Sequence, residues 1–244
     1  MFRKRIFTEI KQQPDPIGRR GEHISRLEAF SDAVFAFSIT LLIVALEVPD
    51  TYEKLMESMS HFFSFGICFA ILLIIWNSQN IYFRRYGLND GYSVALNGCL
   101  LFTCLFFVYP LKFLFSVFPS VYTPGADLDQ AQNLYYIYNA GFMGIYLLFG
   151  LLYRHALHQR KELGLTEQEA FHTESQMITH FLIAATGIAP ITFAMLGEGF
   201  IVLAPVSYVL IWPVTAIGDR RRNKLFKRKF SREEVSEEAK IEVV

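Results

Sequence analysis

Apolar residues in this chain gather into six long blocks, and the charged residues lie between them. A helix crossing a bilayer needs about 20 predominantly apolar residues. The blocks run roughly over 27–48, 61–83, 92–118, 133–158, 176–196 and 199–217. A soluble domain that is 52% hydrophobic with 24 Phe would have to be almost entirely core. Separation into blocks instead predicts an all-α polytopic membrane protein with six transmembrane helices. It divides the chain into an N-terminal segment (1–24), a membrane domain (25–218) and a C-terminal tail (219–244).

Lys and Arg set the expected orientation. Seven precede or open the first block, two follow the second, three lie at or after the end of the fourth and nine follow the sixth. Only Lys54 and Lys112 remain for the other side. The positive-inside bias then places both termini in the cytoplasm, which suits an even number of spans. Cys68, Cys99 and Cys104 fall inside blocks, so no disulfide framework is expected. The first apolar run is too long for a signal peptide and lacks a small-x-small cleavage site. The basic tail GDRRRNKLFKRKFSR suits anionic headgroups of membrane lipids, or serves as the inside anchor of the last span.

Between the blocks, residues 1–24 read as a flexible or short-helical lead-in, and the link VPDTYEKLMESMS as a short hairpin connection. The connection FPSVYTPGADLDQAQ should be irregular. The segment QRKELGLTEQEAFHTES should extend the fourth helix or precede the fifth. Gly187, Pro190, Gly197, Gly199, Pro205 and Pro213 predict kinks in the last two spans.

Several chemistries lack their residues. The chain has no TVGYG-like filter, no spaced arginines of a voltage sensor, and no phosphate-binding or dinucleotide fingerprint. His155 and His158 stand beside Arg154 and Arg160, which reads as a solvated helix end rather than a metal site. His180 reads as a buried hydrogen-bonding group. Nothing assembles a nucleophile, a base and an oxyanion site, so an enzyme is not expected. Neither are a cofactor, a resident metal or a nucleic-acid partner.

The first block, RLEAFSDAVFAFSITLLIVALEV, carries both charge and an apolar stripe. At about 100° per residue, Phe37, Leu41 and Val44 fall within roughly 60° of one another, with Thr40 bordering them. Ser31 and Asp32 lie about 120° and 140° from Phe37, off that stripe. Arg26 and Asp32 are too far apart in angle for an i,i+4 pair. Their partners must come from other helices at the same depth. WNSQN (Trp76 to Asn80) ends the second block there, and Asn97 lies about one turn into the third. A network joining Ser31 and Asp32 to Trp76, Gln79 or Asn80, and Asn97 would make the carboxylate tolerable in the membrane. Direct ion or proton binding by Asp32 is the alternative.

Arg26, Phe30, Ser31 and Asp32 spell R-x-x-x-F-S-D, followed by AVFAFSITLLIVALEV. This resembles the first helix of the transmembrane protein 175 family, lysosomal potassium channels and their bacterial relatives. The likeness extends to FSFGICFAILLIIW, ending at Trp76, and to ALNGCLLFTCLFFVYP, with Asn97 and Pro110. It implies a bacterial single-repeat member in the inner membrane, a homotetramer whose first helices line a central potassium pathway. It further implies an apolar constriction at Phe37, Leu41 and Val44, with Thr40 in the lining. The R-x-x-x-F-S-D residues would hold helices together. Two positions depart from the family pattern. Phe37 stands where a branched aliphatic residue is usual, and Ser78, Gln79 and Asn80 stand where many relatives have paired histidines. Amides do not titrate near neutral pH, so no histidine-dependent response is expected from that position.

The expectation is a potassium-preferring passive channel with a hydrophobic gate. Its rival is a secondary transporter using kinked helices five and six, with Asp32 or Glu198 coupling ions. A membrane scaffold without permeation is the third reading. From the residues alone, the first reading of the Phe37 stripe is ordinary helix packing within one subunit, and only the family resemblance reverses it.

Overall fold

A computed structural model describes residues 17–21, 23–44, 50–60, 62–117, 128–196, 200 and 203–241, and every element among them is helical. In chain order these are α1 (Arg26–Val44), α2 (Tyr52–Ser60), α3 (Phe62–Tyr86), α4 (Gly91–Val117) and α5 (Leu128–His158). There follow α6 (Glu167–Thr186), α7 (Ile188–Met195), α8 (Leu203–Val206), a 3-10 turn (Ser207–Leu210) and α9 (Ile211–Ile241). Four stretches of the described residues are long and apolar enough to cross a membrane: Phe65–Tyr86, Gly91–Val108, Gln132–His158 and Glu167–Met195. The first expected span is described as helix through Val44, and its continuation to Val48 lies outside the described residues. The sixth is broken, because α8 and the 3-10 turn precede α9. α9 then runs continuously through Pro213 and Gly218 into the tail.

Helix packing in a bilayer gains little from hydrophobic exclusion and depends on close fit and satisfied polar groups. Both are present. α5 packs between α4 and α6, α1 lies on α3 and α4, and α9 runs along α6. At Gly141 a Cβ would collide with the Phe107 ring, so the missing side chain lets α5 close on α4. Tyr82 donates its hydroxyl to the Leu152 carbonyl at 3.0 Å, and the Tyr86 hydroxyl pairs with Thr173 at 2.9 Å. Tyr208 donates to the Asn139 carboxamide at 2.7 Å, joining the 3-10 turn to α5. His180 is buried, bonded to the Gln176 carbonyl and stacked on Tyr153.

The structure differs from the sequence reading in two connections. Within the link before α3, Tyr52–Ser60 is itself helical. The lead-in expected to be flexible or short-helical is, over Ile17–Gly21, strapped to the bundle. Ile17 is buried, and the Arg20 and Gly21 amides donate to the Arg85 and Arg84 carbonyls. The Arg20 guanidinium grips Glu169 with two bonds, 3.1 and 2.8 Å, and donates to the Leu163 and Gly164 carbonyls. Glu169 also caps α6, accepting from the Thr166 amide while Thr166 accepts from its own. This capping box starts a new helix, so the 159–175 segment precedes helix five instead of extending helix four. The rest of the 118–132 connection, up to residue 127, lies outside the described residues.

Candidate functional site

α1 has two faces with opposite surroundings. Ser31, Phe35, Ser38 and Leu42 are buried at spacings of four, three and four, the period of one helix face. That face meets α3 and α4. Its serines donate to their own i−4 carbonyls, Leu27 and Val34, so these small residues admit close packing with no unpaired hydroxyl proton. On the other side Phe30 is 61% exposed and Phe37 57% exposed, with Ala33, Ala36 and Thr40 also open. Thr40 bonds the Ala36 carbonyl at 3.0 Å, and Leu41 is half-buried at the border. Val44 ends the described helix. Within this chain, Phe37 is not a packing residue.

The polar corner resolves into two bonded sets. Asn97 donates to the Ser31 hydroxyl at 2.9 Å and accepts from Gln79 at 3.1 Å, all three side chains being buried. Trp76 donates its indole N–H to Asp32 at 2.7 Å. Gln79, Asn80, Asp32, Glu28, Gly21 and Arg84 line a cavity of about 220 Å³ beside these bonds. Asp32 is exposed toward it rather than buried. The expected network thus gathers Ser31, Asp32, Trp76, Gln79 and Asn97. It leaves out Asn80, which only lines the cavity. Arg26 and Phe30 also stand apart, beside Leu27, Asn89 and Val94 on a shallow groove. Arg26 has no ion-pair partner among the described residues.

Other elements of the site were not anticipated. Ser25 and Glu28 form a reciprocal capping box, each accepting from the other's amide at 3.1 Å, and thereby start α1 just before the motif. The S-x-x-E pattern ahead of an apolar run is a signature of this arrangement. His155 is not at a solvated end. Its Nε2 meets Asp90 at 3.0–3.1 Å, and its ring lies 4.7 Å from that of Tyr92. Asp90 in turn caps α4 through the Tyr92 amide and the Ser93 hydroxyl. Partial burial raises the Asp90 pKa, but the Ser93 hydrogen bond and then His155 outweigh it and bring it down to about 2. No sequence neighbour announces this pair, which is 65 residues apart. Among the described residues no group of three or more His, Cys, Asp or Glu is placed to hold a metal ion. Glu198 lies outside the described residues.

A profile of the family described as endosomal/lysosomal potassium channel TMEM175 matches residues 26–107, the span that holds both bonded sets. A protein of Marivirga tractuosa named potassium channel is 33% identical over 242 residues, covering 92% of this chain and 98% of its own. The chain belongs to the TMEM175 family. Among solved structures, the potassium channel MtTMEM175 superposes with a TM-score of 0.78 at 31% identity, over 87% of this chain and 98% of that one. A lysosomal potassium-selective channel TMEM175 homolog from Chamaesiphon minutus gives a TM-score of 0.56 at 24% identity, over 79% and 96%, and shares the fold. The TMEM175 family and these relatives are potassium channels, not enzymes.

Proposed function

We propose that this protein is a potassium-preferring passive cation channel. It works as a homotetramer in the bacterial inner membrane, with both termini cytoplasmic and α1 lining a central pathway. Potassium is the permeating ion, and no cofactor takes part. The observation that carries this reading is the open face of α1, with Phe37 more than half exposed opposite a face tightly packed on its own subunit. A large apolar side chain in that position calls for a neighbour, and four symmetric copies would form a ring of phenyl groups. Such a ring conducts when wide enough to stay wet and closes by dewetting. Potassium sheds its hydration more readily than sodium, so an apolar constriction favours it without coordinating it. Leu41, Val44 and Thr40 continue the lining. Arg26 and Phe30, open at the inner end of α1, serve subunit contacts, while the Asn97 and Trp76 bonds hold α1 against α3 and α4.

The test is Phe37→Ala recorded in planar bilayers against the parent protein under bi-ionic potassium and sodium. Larger unitary currents and a reversal potential closer to zero are expected. Unchanged conductance and reversal potential would remove Phe37 from the pathway. A saturable flux without unitary steps would instead indicate secondary transport.

A further inference from the structure

We propose that the groove between the start of α4 and the end of α5 binds the phosphate headgroup of an anionic phospholipid. The groove has a volume of about 990 Å³ and is lined by Arg154, His158, Arg160 and Lys161, with Tyr92 and Leu157 among its apolar walls. Elsewhere on the same end of the bundle, three cations pair with carboxylates of α6: Arg20 with Glu169, Arg222 with Glu174 and Lys229 with Glu167. The groove gathers cations that lack such a pair. Arg154, His158 and Lys161 have no side-chain partner among the described residues. Arg160 feels only the field of Glu167, whose carboxylate is already bonded to Lys229. The nearby acid Asp90 is held by Ser93 and His155.

Position selects the occupant. The apolar span Gln132–His158 ends inside the groove, so its cations stand where hydrocarbon gives way to headgroups. Guanidinium groups present paired N–H donors that match phosphate oxygens, and a basic pocket between transmembrane helices at this depth suits a lipid phosphate. The half-buried leucines beside the cations offer a surface for the glycerol and the first acyl carbons. A soluble phosphate would use the cations and leave that apolar wall idle. The proposal rests on the protein spanning a bilayer and is independent of whether it conducts.

The test is native mass spectrometry of the purified full-length protein, counting phosphatidylglycerol and phosphatidylcholine retained on release from mixed micelles. The parent should retain phosphatidylglycerol preferentially. Each cation near a membrane surface contributes about a fivefold preference. R154Q/R160Q/K161Q should therefore weaken retention tenfold or more, and R154K/R160K/K161R should restore it. The tail variant R220Q/R221Q/K224Q, also of exposed side chains, should weaken retention by less than the groove variant does. Equal losses in the groove and tail variants, or undiminished retention in the groove variant, would overturn the site. Displacement of phosphatidylglycerol by glycerol 3-phosphate at concentrations matching a short-chain phosphatidylglycerol would overturn the lipid as occupant. Bilayer recordings of the same groove variant separate this outcome from the channel reading, because loss of lipid retention with intact currents leaves conduction standing.

Discussion

The Asn97 carboxamide nitrogen lies 2.9 Å from the Ser31 hydroxyl, and its oxygen accepts from Gln79 at 3.1 Å. One fully buried amide thereby ties α1, α3 and α4 together at one level of the bundle. The consequence reaches the opposite side of α1. A helix held on one face through its serines presents the other face, with Phe37, in a defined rotation.

Replacing Asn97 with Leu leaves the Gln79 amide without its acceptor and removes the donor to Ser31. An unpaired buried polar group costs about 1–3 kcal/mol, and bonds between membrane helices average about 0.6 kcal/mol. A lower thermal unfolding midpoint in detergent is expected, with an unchanged potassium-to-sodium preference. An unaltered midpoint would show that the bonded set carries no stability.

Trp76→Phe keeps the ring and removes the N–H that meets Asp32. Asp32→Asn keeps an acceptor and removes the charge. Both should reduce the yield of the proposed tetramer on size-exclusion chromatography, Trp76→Phe by more, at a cost of about 1 kcal/mol. Reversal potentials should not move. A shift in ion preference with intact assembly would place Asp32 on the ion path.

Glu169→Gln breaks the two-pronged grip on Arg20 and weakens the acceptor for the Gly18 amide at 2.7 Å. Amide exchange over Ile17–Gly21 should accelerate about tenfold, since losing a charge-assisted bond costs about 1.5–3 kcal/mol. Exchange indistinguishable from the parent would mean that Ile17 burial and the Arg84 and Arg85 carbonyls hold the strap by themselves.

Asp90 gives a stability term with a definite sign. Its pKa is lowered in the folded protein from 3.8 to about 2, so the unfolded chain binds more protons between those values. The contribution is complete above pH 3.8 and is lost as pH falls toward 2. It is modest, because the carboxylate is about one-third exposed and screened by solvent. Unfolding midpoints measured from pH 5 to pH 2 should fall less steeply for Asp90→Asn than for the parent. Parallel curves would remove Asp90 as the source.

The apolar blocks, the helical class and the R-x-x-x-F-S-D motif were legible because length, hydropathy and residue order are local properties. Depth matching also brought Ser31, Asp32, Trp76, Gln79 and Asn97 into one neighbourhood. It left Gln79 and Asn80 as equal candidates. Consecutive residues on a helix point about 100° apart, and only packing turned Gln79 inward to Asn97 and left Asn80 at the cavity. The Asp90–His155 pair and the Arg20–Glu169 strap were invisible for a related reason, since each joins residues far apart in the chain. The chain's own order of residues determined that it forms membrane-crossing helices and which motif opens the first one. Tertiary structure alone decided which face of that helix is held and which is left open at Phe37. The rotation of a helix about its axis is set by the neighbours it packs against, and no local pattern contains them.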